Sequence, residues 1–72
     1  MKVKYYKATD SLYIDLSENP SSDSREVAEG IVLDYDSAGN LVGIDIDKAS
    51  TKVALDRLIV SSMPGMVVTE AA

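Results

Sequence analysis

The chain has 72 residues, a formal net charge of −5, and neither cysteine nor histidine. A chain of this length buries only about 60–65% of the surface its unfolded form exposes, so a partner subunit is an expected source of added stability. The missing residue types exclude disulfides, thiolate nucleophiles, cysteine-based zinc and iron–sulfur sites, and the commonest neutral-pH base and transition-metal ligand.

The negative charge argues against a phosphate backbone as partner. No apolar run approaches the roughly 18 residues of a membrane-spanning helix, and Met1-Lys2-Val3-Lys4 is not a signal peptide. The expectation is a soluble, cytoplasmic, acidic domain with no membrane or nucleic-acid partner. Apolar content of 46% lies within the globular range, and no repeat or low-complexity block is visible.

In chain order, Lys2 to Lys7 alternates with Val3 and Tyr5 on one side. Ser11 to Ser17 alternates likewise, with Leu12, Ile14 and Leu16 on one face and Tyr13, Asp15 and Ser17 on the other. A two-residue turn at Thr9-Asp10 predicts a hairpin pairing Tyr5 with Ile14, Val3 with Leu16, Tyr6 with Tyr13 and Lys4 with Asp15. Glu18 to Ser24 is polar, broken by Pro20, and reads as a loop. Gly30 to Asp36 and Leu41 to Asp47 form the second predicted hairpin, with Gly39 supplying positive φ in the turn and Gly30 marking a bulge or bend. Its expected pairs are Leu33 with Ile44, Ile31 with Ile46 and Tyr35 with Val42. The opposite face carries Val32, Asp34, Asp36, Asp45 and Asp47.

After Asp47 the period lengthens. Ala49, Val53, Ala54, Leu55, Leu58 and Ile59 form a helical stripe, with Asp47 or Ser50 as N-cap. A helix of roughly ten residues does not hold alone in water, so it is expected to pack on the sheet. The fold class is therefore α+β: a four-stranded antiparallel sheet from two hairpins, with one C-terminal helix packed on its apolar face. Residues 1–59 make the single domain. Residues 60–72 form a tail, either frayed or added to a neighbour's sheet edge.

Candidate chemistry is sparse. Asp34 to Asp45 has the Asp, Asp and Gly of a calcium loop at positions one, three and six. Ala38 and Asp45 stand where a fifth-position Asp or Asn and a twelfth-position Glu belong, and strands replace the flanking helices. Divalent-cation binding at Asp34, Asp36 and Asp45 is thus the alternative reading; the plain one is a hairpin turn. Serines have no histidine to activate them, and Ser50 beside Lys48 and Lys52 lacks a nucleophile-elbow context. Lys2, Lys4 and Lys7 with interleaved tyrosines make only a weak single-strand funnel. No catalytic residue and no cofactor is expected. Tyr6 and Tyr13 on the outer face make an amphipathic platform, with Arg25 and Arg57 as supports. This favours a non-enzymatic interaction module, either a homodimer or a binder of another, basic protein.

Tyr6 to Ile14, Ser24-Arg25-Glu26-Val27, Gly30 to Asp36, Gly39 to Ile46 and Ala49-Ser50 together resemble the small bacterial protein family called domain of unknown function 2283. The likeness spans about residues 3 to 59. It implies a compact α+β domain and brings no reaction, cofactor or catalytic residue. Because such proteins sit beside small toxin-like partners, it also implies an antitoxin-like role, which the acidic charge would suit through electrostatic complementarity to a basic ribonuclease.

Overall fold

Alternating β-branched and aromatic residues dominate the first half of the chain, and they fold as strands. The computed structural model describes residues 1–55, Gly65 and residues 68–71. Its strands are β1 (Lys2–Tyr6), β2 (Ser11–Asp15), β3 (Asp23–Ala28), β4 (Ile31–Tyr35), β5 (Leu41–Ile46) and β6 (Val68–Ala71). They form one six-stranded sheet in the order β3-β4-β5-β2-β1-β6. The first five pair antiparallel, and β6 runs parallel to β1.

This corrects the α+β expectation of four strands and a C-terminal helix. No helix beyond a single 3-10 turn, Ala49–Thr51, occurs among the described residues. Lys48 precedes that turn in the left-handed region (φ 51), and the Ala49 carbonyl accepts from both Lys52 and Val53. Ser50, Thr51 and Val53 are mediocre helix formers, and so short a segment cannot offset the cost of nucleation. Tertiary bonds hold it instead: the Ala49 and Ser50 N–H groups donate to the Asp10 carbonyl (2.8 Å) and carboxylate (3.0 Å). Leu58 and Ile59, the end of the predicted stripe, lie outside the described residues.

Two strands were not expected. β3 reads as polar loop and unassigned chain because it is an edge exposed along its whole length. An edge open on both faces imposes no alternation. β6, placed in the predicted tail, instead lies on this chain's own β1 edge, from Lys2↔Val68 to Tyr5↔Ala71.

The first hairpin pairs in a register shifted by two: Tyr5 faces Leu12, Val3 faces Ile14, Lys4 faces Tyr13, Lys2 faces Asp15 and Tyr6 faces Ser11. Its connection is four residues, Lys7 to Asp10, with Asp10 at φ 53. An even shift keeps each residue on its face while changing its partner. The second hairpin keeps Leu33↔Ile44 and Ile31↔Ile46, but a bulge after Asp34 puts Tyr35 opposite Leu41 rather than Val42. Its turn uses Gly39 at φ 84, as expected. Gly30 sits in the turn between β3 and β4 rather than within a strand, and the bulge there lies between Glu26 and Ala28.

The register puts Val3, Tyr5, Leu12, Ile14, Ile31, Leu33, Ile44 and Ile46 on one face. Val42, Ile46 and Ala49 are the buried apolar residues among those described; the rest of this face stays partly open. Lys4, Tyr13, Asp15, Asp34, Asp45, Ser24 and Glu26 share the other face. No helix among the described residues is long and apolar enough to cross a membrane.

Candidate functional site

The polar face is organised by a side chain that lies across the sheet. Tyr13 on β2 crosses β5 above Gly43, and its hydroxyl donates to Asp34 Oδ2 on β4 at 3.0 Å. A Cβ at Gly43 would land on the Tyr13 hydroxyl, so the glycine opens the lane that the ring occupies. The Ser24 hydroxyl on β3 donates to Asp34 Oδ1 at 2.6 Å, so Asp34 is bonded from both sides. Burial first, then the Asp34 carboxylate, pushes the Tyr13 phenol up to about 12. Tyr13 is therefore a neutral donor throughout the physiological range.

Tyr6, Thr9, Ser11, Tyr13, Asp34 and Asp45 line an open depression of about 460 Å³. Tyr6 and Tyr13, expected to pair directly, are not cross-strand partners, yet the two-residue shift leaves both rings on the rim of this depression. Asp45 faces Tyr13 from β5. Its carboxylate is raised above the ordinary value by burial first and by Asp47 and Asp34 next. Among the described residues, no hydrogen bond or ion pair reaches it.

Arg25 does not join the tyrosines. It faces Leu33 on the apolar side of edge strand β3, with its guanidinium 5.9 Å from the Tyr35 ring centroid. Arg57 lies outside the described residues. Of the proposed cation ligands, Asp34 and Asp45 share the depression, but Asp36 faces into its own turn. There the N–H groups of Ala38 (3.0 Å) and Asn40 (2.9 Å) donate to Oδ1, and the side-chain amides of Asn19 (3.2 Å) and Asn40 (3.3 Å) donate to Oδ2. Those donors, the Asn40 N–H foremost, hold Asp36 below the ordinary carboxylate value. Among the described residues no three acidic side chains gather as a metal site would require.

Sequence reasoning missed Ser24, Thr9, Ser11 and Gly43. The glycine was the available signal, because a glycine inside a strand often marks another group passing close over the backbone.

Among the described residues, a single sheet with an acidic, tyrosine-bearing face defines the class: a small β-sheet protein whose polar face carries a shallow concavity. The chain belongs to the DUF2283 family, described as a protein of unknown function, whose profile matches residues 2–50. Neither a curated protein nor a solved structure matches it.

Proposed function

We propose that the protein is a non-enzymatic interaction module that docks a basic segment of another protein on the Tyr6–Tyr13 face of its sheet. The observation that carries this reading is Asp45. It is a partly buried carboxylate that no other described residue bonds, in a depression rimmed by two tyrosine rings. A lysine or arginine from a partner would supply the missing counter-charge, and the rings would contact its apolar stem and cationic head. The net charge of −5 would steer such a partner to the surface.

The test is recovery of the tagged protein from an extract of its source cells at low and high salt, beside the Asp34→Asn/Asp45→Asn variant. A stoichiometric basic protein held by the wild type, released by salt and lost by the variant supports the assignment. Equal retention by both forms, or recovery of the chain's own subunits alone, overturns it.

A further inference from the structure

β3 (Asp23–Ala28) closes one edge of the sheet, and among the described residues it pairs with β4 alone. All six of its residues are exposed, Val27 at 53%. An open strand edge is a template for another strand, and proteins usually block it with charges that repel a copy of themselves. The charges on β3 are arranged to complement a copy instead.

Asp23 and Arg25 face Tyr35 and Leu33, so both lie on the apolar side of the sheet. When two copies pair antiparallel about a two-fold axis perpendicular to the sheet, facing residues must share a face, and the centre of pairing falls on a single residue. Centring on Arg25 would set two guanidinium groups against each other, and centring on Glu26 would oppose two carboxylates. Centring on Ser24 brings Asp23 opposite Arg25 of the second copy and Arg25 opposite Asp23 of the second copy. Two opposite-charge cross-strand pairs then flank a small, neutral centre. Arg25 already rests against the Tyr35 ring on that face, which limits the ordering needed to make the pair.

We propose that β3 pairs antiparallel with β3 of a second copy, centred on Ser24, so that one sheet runs through both protomers. The two-fold axis keeps like faces together, so the two Tyr6–Tyr13 depressions open on the same side of the dimer. The bulge between Glu26 and Ala28 confines the contact to about five residues from each copy. Such an interface is at the small end of specific contacts, and the dissociation constant is expected to be roughly micromolar or weaker. This inference stands independently of the basic-partner reading, since it uses the β3 edge and no residue that lines the depression; Ser24 touches that site only through its bond to Asp34.

Sedimentation velocity across a concentration series gives the test. The wild type should show a monomer–dimer equilibrium. Asp23→Arg and Arg25→Asp should each weaken it by roughly tenfold, because each sets like charges in opposition. The double variant Asp23→Arg/Arg25→Asp should restore it. A chain that is monomeric throughout, or a dimer indifferent to the single reversals, overturns the proposal.

Because the chain lacks cysteine, Ser24→Cys offers a second readout that does not depend on charge. Facing residues of an antiparallel pair have Cα atoms about 4.5–5.5 Å apart, within disulfide reach. Mild oxidation should link Ser24→Cys into a covalent dimer much faster than Glu26→Cys. Equal rates for the two variants would likewise count against the register.

Discussion

Four aspartates of one small sheet divide into two environments. Asp10 and Asp36 stand at hairpin ends, where each short side chain accepts backbone N–H groups, that of Ser50 for Asp10 and those of Ala38 and Asn40 for Asp36. The Asp10 carboxylate takes the Ser50 hydroxyl at 2.6 Å, the Tyr5 hydroxyl at 2.7 Å and the Ser50 N–H, and it lies below the ordinary value with the Ser50 hydroxyl as first cause. Asp34 and Asp45 stand on the pleated face, where neighbours are side chains rather than backbone donors. Asp34 finds two hydroxyls, and Asp45 finds other carboxylates, which together with burial raise it. Position relative to free N–H groups thus sorts the acids into those that close the fold and those left to meet something outside it.

The largest effect should come from the turn acids. Asp36→Ala leaves two backbone N–H groups and two side-chain amides without their acceptor, and Asp36 is only 8% exposed. The melting temperature should fall by roughly 10 °C, read by circular dichroism. A change of a degree or less would erase the distinction drawn between turn and face. Asp10→Ala should cost somewhat less in melting temperature. It should also let the Tyr5 phenol, raised chiefly by its bond to Asp10, fall back toward its ordinary value, as followed by ultraviolet titration.

The pH dependence follows with its sign. Asp10 and Asp36 have folded pKa values below their unfolded ones, so their contribution is present above about pH 4 and is lost as pH falls through the folded values. Acid denaturation should therefore begin below about pH 4. In Asp36→Asn the loss of melting temperature between pH 5 and pH 2 should be visibly shallower than in the wild type. An identical slope would place the acid sensitivity elsewhere.

A middle-sized effect tests the lane across β5. Gly43→Ala forces the tip of a movable side chain to shift, so the fold should survive while Tyr13 swings off Asp34. The Tyr13 phenol should then titrate well below its present value of about 12. If its titration stays unchanged, the close approach over Gly43 is not what directs the ring.

Which parts of this were legible in the sequence follows from where burial imposes a pattern. β1, β2, β4 and β5 each have one inward face, and their period of two shows in Val3/Tyr5, Leu12/Ile14, Ile31/Leu33 and Ile44/Ile46. β3 has no such constraint at the edge, so Asp23 and Ser24 read as the end of a loop and Arg25 to Ala28 carry no assignment. The register of the first hairpin differs from the expected one because the connection runs from Lys7 to Asp10 rather than over Thr9-Asp10 alone. Asp10 is instead held in left-handed geometry by bonds to residues forty positions away. The same long-range bonds replace the expected helix start, since Ser50 serves Asp10 rather than capping. The tyrosine platform was legible as a face but not as a concavity, because the Tyr13 path depends on an empty lane at Gly43 and an acceptor twenty-one residues away.

The smallest stability effect is the one that bears most directly on function. Asp45 is raised in the folded state, the reverse of Asp36, so its charge opposes folding at neutral pH and protonation relieves that opposition. Asp45→Asn should therefore raise the melting temperature at pH 7 slightly, by up to about 2 °C, because the group is only partly buried. The gain should shrink as pH falls through the raised folded value, where the wild type becomes protonated as well. The same substitution should weaken capture of a basic partner. A residue whose removal stabilises the chain while impairing its binding is held in place by function rather than by folding. If Asp45→Asn destabilises instead, the carboxylate belongs with Asp36 as part of the scaffold, and the face loses its claim to be a docking surface.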